Sequence, residues 1–158
     1  MGDTLCLVGG TFDCFHQGHQ SLLEAAFSCD HVEIWVSSDA IALAKDPRIK
    51  PQSERFEAIS DWCGSRPHSL HNLEDSLGPA PTRTDATHIV CTPETRKNCD
   101  KINQMRAIDG LPSLEILEVP HALARDGTPI SSSRIRQGSI DRHGNLWIRA
   151  ADLERTVH

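Results

Sequence analysis

Two histidines three residues apart, at positions 16 and 19, stand in the stretch GGTFDCFHQGH (9–19). An imidazole can bind a metal ion, move a proton or donate a hydrogen bond to an anion. The stretch ends an apolar run and contains three glycines. This spacing permits three kinds of site: a metal centre, a pair of structural histidines near a helix start, or a phosphate-binding turn.

The residues around the two histidines favour the phosphate-binding turn. A zinc site needs three or four ligands, and no second H-x-x-x-H or C-x-x-C pattern supplies the missing ones. Gly10 lets a ligand approach the backbone, while Thr11 offers a hydroxyl and Phe12 an amide. Gly18 leaves room for a base or ribose near a helix start, whose free N–H groups attract an anion. Structural histidines are the alternative.

A second group of polar residues lies near the other end of the chain, in ISSSRIR (130–136). N-capping of a helix is the ordinary explanation for serines such as Ser131, Ser132 and Ser133. Three serines in a row, followed by two arginines, are more than a cap requires.

The apolar pattern predicts strands that alternate with helices. Strands are predicted over 4–10, 31–37, 68–74, 87–92 and 114–120, and helices over 18–29, 53–63, 94–110 and 131–138, with a short helix capped by Asp39. Alternation implies βαβ units with right-handed crossovers and an open parallel sheet. Ligands of such sheets bind outside the carboxyl ends of the strands, where both polar stretches are expected to lie.

Composition limits the class of protein. A chain of 158 residues with 38% hydrophobic residues fits one domain over 1–158 with a sizeable core. No apolar run approaches the roughly 20 residues that span a bilayer, and the N-terminus does not read as a secretion signal, so a cytoplasmic location is expected. The net charge of −6 argues against a general nucleic-acid-binding surface. Six cysteines without a C-x-x-C pair are expected to be reduced thiols.

Both polar stretches match motifs of one known superfamily. GTFDCFHQGH resembles the T/H-x-G-H signature of the nucleotidyltransferases, and ISSSRIR resembles their I-S-S-T-x-x-R motif. KDPRIKPQSER, TPET, LPSLEILEVP and PISSSRIRQGSIDRHGN narrow the resemblance to the phosphopantetheine adenylyltransferases of archaeal and eukaryotic type. The likeness is greatest over 5–20, 89–120 and 128–145. It implies an α/β, Rossmann-like, open parallel five-stranded sheet with helices on both faces.

The resemblance implies an activity and its partners. That family transfers AMP from ATP to 4′-phosphopantetheine, giving dephospho-coenzyme A and pyrophosphate, and uses Mg²⁺ as Mg-ATP. The reaction is an in-line attack of one phosphate on another, so catalysis needs positioning and positive charge more than a protein nucleophile. Neither a nucleic acid nor a membrane is an expected partner, and the sequence does not fix the oligomeric state.

The resemblance also assigns catalytic roles. His19 is expected to stabilise the reacting α-phosphate, and His16 to assist at the triphosphate. Thr11 is expected to hold the attacking phosphate. Lys45 is expected to bridge the two reacting phosphates, with Lys50 as its competitor because the loop between them has no fixed register in the sequence.

Two sets of binding residues follow from the same resemblance. The residues expected to bind ATP are Gly10, Thr11, Phe12, His16, Gly18, His19, Ser131, Ser132, Ser133 and Arg136. The residues expected to bind the acceptor are Thr11, Lys45, Thr92, Glu94, Thr95, Asn103 and Arg106. For TPET (92–95), capping of the following helix is the alternative. Gln52 stands where relatives carry an aromatic residue, and Arg55 is open to a structural ion-pair role.

Two rival functions belong to different classes. The first is another nucleotidyltransferase, acting on FMN, nicotinamide mononucleotide or glycerol phosphate. Cytidylyltransferases usually carry R-T-x-G-I-S-T-T, whereas this chain has DGTPISSSR. The second is a non-catalytic nucleotide-binding module, which would need the glycines but not the histidines, the lysine and the serine-arginine motif.

Overall fold

The computed structural model describes residues 3–138 and residue 143. Most of the segment 139–145, which carries part of the family resemblance, and the end of the predicted 1–158 domain therefore lie outside the described residues. Strands and helices alternate along the described part as predicted. The strands are β1 (Leu5–Gly10), β2 (His31–Ser37), β3 (Ser69–Leu73), β4 (His88–Cys91) and β5 (Glu115–Glu118); the helices are α1 (Gln17–Ala26), α2 (Asp39–Lys45), α3 (Gln52–Cys63), α4 (Arg96–Ile108) and α5 (Ser132–Arg136).

The five strands form one parallel sheet in the order β3-β2-β1-β4-β5. After β1 the chain builds outward through β2 and β3, then crosses back to place β4 on the other side of β1. This reversal opens a crevice at the carboxyl ends of β1 and β4, which is where ligands of such sheets bind. The predicted fold class is confirmed.

β1 is buried on both faces, which explains its uninterrupted apolar sequence. Cys6 and Val8 pack in a cluster with Leu23 of α1 and Ile59 of α3. Leu5 and Leu7 pack in a second cluster that includes Cys91 of β4 together with Cys99 and Ile102 of α4. Helices therefore cover both faces of the sheet, and β1 fixes the position of the turn that follows it.

The start of α2 differs from the sequence prediction. Asp39 is the first residue of the helix, and the cap is Ser38, whose side-chain oxygen accepts the Ile41 N–H at 3.2 Å. The Asp39 carboxylate instead accepts the backbone N–H of Gln52 and a guanidinium N–H of Arg55. Asp39 therefore fastens α3 to α2 rather than capping a helix.

Two findings bear on the expected environment of the protein. All six cysteines are free, and five of them are buried. No helix within the described residues has the length and apolar character that crossing a bilayer requires.

Candidate active site

The turn after β1 has an unusual backbone. Phe12 and Cys14 have φ values of 56° and 51°, a conformation that costs free energy for residues other than glycine. The turn buries the Phe12 ring, which lies 5.2 Å from the His19 ring. A Cβ at Gly10 would lie 3.1 Å from the Phe12 ring, so Gly10 makes room for that ring.

The two histidines cap the start of α1. The His16 side chain accepts the Gly18 N–H through Nδ1 at 3.0 Å, and the His19 Nδ1 accepts the His16 N–H at 3.1 Å. Their rings stack with centroids 3.7 Å apart. The result is a reciprocal capping box built from two imidazoles. A Cβ at Gly18 would lie 2.8 Å from the His16 ring, so Gly18 makes room for that imidazole, and its expected contact with a base or ribose stays a prediction.

This capping arrangement fixes the state of both rings. Because each Nδ1 accepts a hydrogen bond, a neutral ring must carry its proton on Nε2. Burial lowers the pKa of His16 to about 4, and burial with the neighbouring His16 holds the pKa of His19 well below its ordinary value. At neutral pH each imidazole is therefore an uncharged Nε2–H donor.

The two distant motifs meet in a pocket of about 300 Å³, which we term the polar pocket. Its walls come from the turn after β1, the end of α2 and the start of α5. The residues that line it are Thr11, Phe12, Asp13, His19, Lys45, Asp46, Ile49, Ser132, Ser133 and Arg136. Hydroxyl groups and cationic side chains thus surround one volume, a composition that suits phosphate groups.

Asp13 joins the two motifs, a role that neither motif indicates. Its side chain is buried and accepts the Lys50 N–H at 3.2 Å and an Arg136 N–H at 2.5 Å. Its backbone carbonyl accepts the Ser132 hydroxyl at 2.5 Å. The available signal was a carboxylate in the turn that follows a buried strand, because a carboxylate buried there needs hydrogen-bond partners.

The predicted phosphate-binding residues of α5 divide into two groups. Ser131 caps the helix by accepting the Arg134 N–H at 3.2 Å, so the capping explanation accounts for it. Ser132 and Arg136 reach the polar pocket together with Ser133. The buried Arg136 Nε makes no hydrogen bond within the described residues and lies 3.5 Å from the Asp46 carboxylate, so it can donate to an anion in the pocket.

Lys45 lies in the polar pocket, whereas Lys50 does not. The Lys45 Nζ donates to the Thr11 hydroxyl oxygen at 3.2 Å. Lys50 borders a separate depression on the other side of Phe12, beside Glu54. Position therefore favours Lys45 as the lysine next to a bound triphosphate.

A larger cleft of about 530 Å³, which we term the apolar cleft, opens at the carboxyl ends of β1 and β4. Lys45 lines both this cleft and the polar pocket, so the two volumes adjoin at its side chain. The lining residues are mostly apolar; they are Val8, Gly9, Gly10, Trp35, Ser37, Ile41, Lys45, Leu73, Glu74, Asp75, Ser76, Leu77, Pro79, Ile89, Val90, Cys91, Thr95, Asn98, Cys99 and Ile102.

Similarity to known proteins agrees with this geometry. The cytidylyltransferase-like family model matches residues 7–138. A phosphopantetheine adenylyltransferase of Methanothermobacter thermautotrophicus is 38% identical over 146 residues, covering 90% of this chain and 89% of that protein. The chain belongs to the phosphopantetheine adenylyltransferase family. The Archaeoglobus fulgidus phosphopantetheine adenylyltransferase is 33% identical over 145 residues, covering 88% of this chain and 97% of its own.

A solved structure shares the fold of this member of the phosphopantetheine adenylyltransferase family. It is a crystal structure of a protein of unknown function from Archaeoglobus fulgidus, with a TM-score of 0.66 and 29% identity. The match covers 73% of this chain and 88% of that protein.

The phosphopantetheine adenylyltransferase resemblance placed Asn103 and Arg106 at the acceptor pocket, whereas neither residue lines the apolar cleft or the polar pocket in the structure. The Asn103 side chain binds the backbone N–H and carbonyl of Leu114, just before β5. Arg106 is buried and donates to the carbonyl oxygens of Pro112, Ala80 and Arg83. Both residues lie towards the amino edge of the sheet because α4 runs away from the carboxyl edge.

The TPET segment of this family member reaches the apolar cleft through one side chain. Thr95 lines the cleft, and its hydroxyl oxygen accepts the Thr92 N–H at 3.0 Å. Glu94 is exposed and lies outside both pockets. Thr95 directly precedes α4 and makes no side-chain cap hydrogen bond, so helix capping, the alternative explanation of this segment, is not the arrangement found.

Arg55 has the structural role that was left open. It is 2% exposed and donates to the carbonyl oxygens of Thr11 and Ser37 and to the Asp39 carboxylate. Gln52, at the position where relatives carry an aromatic residue, donates to the carbonyl oxygen of Val36. Arg55 therefore holds α3 against the turn after β1, and Gln52 holds it against the end of β2.

The low pKa of His16 predicts how stability depends on pH. Because the folded pKa of about 4 lies below the ordinary 6.5, the unfolded chain binds more protons between these values. His16 should therefore lower the free energy of unfolding by about 3 kcal/mol as the pH falls from 6.5 to 4. Urea unfolding of the wild type and His16→Asn at pH 7, 5.5 and 4 measures this.

Asparagine is the matched control because its side-chain oxygen can accept the Gly18 N–H without titrating. We expect the variant to lose less stability than the wild type over this range. Parallel pH dependences in the two proteins would show that His16 does not titrate with a depressed pKa.

Proposed function

We propose that this protein transfers the adenylyl group of ATP to 4′-phosphopantetheine, giving dephospho-coenzyme A and pyrophosphate. The observation that supports it most is the junction of the polar pocket and the apolar cleft at Lys45. A triphosphate suits the polar pocket. A mostly aliphatic arm with a terminal phosphate suits the cleft, with that phosphate next to Lys45.

The reaction needs charge stabilisation more than proton transfer, because the attacking group is already an anion. An acceptor phosphate oxygen forms a bond to the α-phosphorus as the bond to the bridging oxygen breaks, and pyrophosphate leaves. Lys45 and the Thr11 hydroxyl are placed to hold the two reacting phosphates near each other. The His19 Nε2–H donates to the α-phosphate as its charge develops.

In this proposal the leaving pyrophosphate binds on the side of the polar pocket that α5 forms. Ser132, Ser133 and Arg136 line that side. The Ser133 hydroxyl and the Arg136 guanidinium are donors that a highly charged leaving group requires, and the Ser132 hydroxyl joins them by giving up its hydrogen bond to the Asp13 carbonyl. The Arg136 Nε, which lies 3.5 Å from the Asp46 carboxylate, gives the group a further hydrogen bond when it is bound.

Magnesium enters this proposal only as part of the Mg-ATP substrate. Among residues 3–138 and 143, no three His, Cys, Asp or Glu side chains group in a way that could hold a metal ion. The two carboxylates of the polar pocket, Asp13 and Asp46, face Arg136 and Arg48 instead. The nucleotide phosphates would supply most of the ligands, as is usual for Mg²⁺.

Replacing Lys45 by methionine is expected to lower kcat/KM for the acceptor about 100-fold, because the bridging charge is lost. Lys50→Met is the matched control and should stay within about threefold of the wild type. Steady-state rates with Mg-ATP and 4′-phosphopantetheine measure both. An equal loss of kcat/KM in the two variants would show that Lys45 does not bridge the reacting phosphates.

The test of the proposed function is pyrophosphate release with a panel of substrates. We expect release with ATP and 4′-phosphopantetheine, and dephospho-coenzyme A as the second product. FMN or nicotinamide mononucleotide with ATP, and glycerol 3-phosphate with CTP, should give rates at least about 100-fold lower. A faster rate with one of these pairs would replace the proposed acceptor, and no release with any pair would favour a nucleotide-binding module. A cytoplasmic location stays a prediction.

A further inference from the structure

The apolar cleft has two walls from separate parts of the chain. One wall is the start of α4, including Thr95, Asn98 and Ile102. The other is the loop after β3, residues 74–79, of which all but residue 78 line the cleft. The separation of these walls decides what fits between them, and it depends on contacts behind the cleft.

Arg106 connects the two walls from behind. It lies on α4 one turn beyond Ile102 and is 1% exposed. Its Nη1 donates to the carbonyl oxygens of Ala80 at 2.8 Å and Arg83 at 2.7 Å. Both acceptors belong to the segment that directly continues the loop wall.

The segment that Arg106 binds is itself a closed turn. The N–H groups of Thr82 and Arg83 donate to the Pro79 carbonyl at 3.1 and 3.0 Å. Pro79 lines the cleft, so a displacement of this turn moves a wall residue directly. The Arg83 side chain anchors the turn on its other side through both oxygens of Glu33.

The guanidinium of Arg106 makes its described hydrogen bonds to main-chain oxygens. Besides the two carbonyls of the turn, its Nε donates to the Pro112 carbonyl at 2.8 Å. No salt bridge within residues 3–138 and 143 includes Arg106. A buried charge is costly unless it is hydrogen-bonded, and the planar fork of arginine presents donors in fixed directions to these three carbonyls.

We propose that Arg106 is a positioning residue that sets the width of the apolar cleft and, through it, the affinity for the acceptor. This inference rests on the adenylyl transfer proposed above, since that activity gives the cleft its ligand. Arg106 touches neither pocket and acts only through the turn at 79–83.

Arg106→Lys tests the proposal because it keeps the positive charge and loses the fork. We expect the KM for 4′-phosphopantetheine to rise at least about tenfold, with kcat and the KM for ATP within about threefold of the wild type. Hydrogen exchange of residues 76–83 should become faster. Arg66→Lys is the matched control, because Arg66 also donates to two carbonyls, those of Trp62 and Cys63, away from the cleft.

An unchanged acceptor KM, or a fall in kcat without a change in KM, would overturn the proposal. If Arg106→Lys does not fold, Pro79→Gly loosens the same connection with Arg106 in place and should raise the same KM. If the wild type itself releases no pyrophosphate with 4′-phosphopantetheine, the proposed function fails. Hydrogen exchange then tests the role of Arg106 independently of the activity. Unchanged exchange of residues 76–83 in Arg106→Lys would show that Arg106 does not hold this loop in place.

Discussion

His19→Asn is expected to lower kcat about 100- to 1000-fold while the KM for ATP changes by less than about threefold. Asparagine can still accept the His16 N–H in place of the His19 Nδ1, so the start of α1 should keep its cap. What it cannot do is extend a donor as far as the imidazole Nε2. The variant therefore removes the contact to the reacting phosphate and keeps the structure of the surrounding turn intact.

His19→Gln is the complementary variant. Its longer amide can place an N–H near the position of the imidazole Nε2, and a glutamine at the third helical position can also accept the N–H of the cap residue His16. We expect it to be about as stable as His19→Asn and to retain more turnover. Single-turnover rates at saturating substrates, with urea unfolding of each protein, measure the two effects separately. A near wild-type rate for His19→Asn would remove His19 from the mechanism.

Arg136→Met is expected to impair both stability and use of the nucleotide. The change leaves the buried Asp13 carboxylate without its charged partner, and breaking such a pair commonly costs about 3–5 kcal/mol. It also removes a cation from the polar pocket, so the KM for ATP and for pyrophosphate in the reverse reaction should each rise at least about tenfold.

A second substitution separates these two effects. Adding Asp13→Asn to Arg136→Met removes the unpaired buried charge, so the double variant should regain part of the lost stability. It should not regain affinity for ATP, because no cation is restored. Recovery of both quantities would show that Arg136 acts only by neutralising Asp13.

The fold could be predicted because burial leaves a direct mark on the sequence. β1 is covered by helices on both faces and forms a continuous apolar run, whereas β2 alternates buried Val32, Ile34 and Val36 with less buried residues. β3 is less distinct, because it lies at the edge of the sheet and exposes Ser69 and Asn72. Pairing with β2, which the sequence does not display, is what makes it a strand.

The site residues could be predicted where they belong to a sequence motif. They could not be predicted where packing against other side chains decides the role of the residue. Thr11, His19, Ser132 and Arg136 reach one pocket as the motifs implied. The role of Gly18 was not visible, because it depends on where the His16 ring turns.

The position of Arg106 could have been deduced from helix geometry. It lies ten residues after the start of α4 at Arg96, which is about 15 Å along the helix axis and away from the carboxyl edge. The family resemblance predicted that Arg106 lies at the acceptor pocket. Its distance along the helix instead places it behind the apolar cleft.

The most direct test is a crystal structure of the protein with magnesium and a non-hydrolysable ATP analogue. We expect the triphosphate to lie in the polar pocket, with the α-phosphate within about 3 Å of the His19 Nε2 and the terminal phosphates on Ser132 and Arg136. A triphosphate bound elsewhere, or one that contacts only one of the two motifs, would contradict the proposed site.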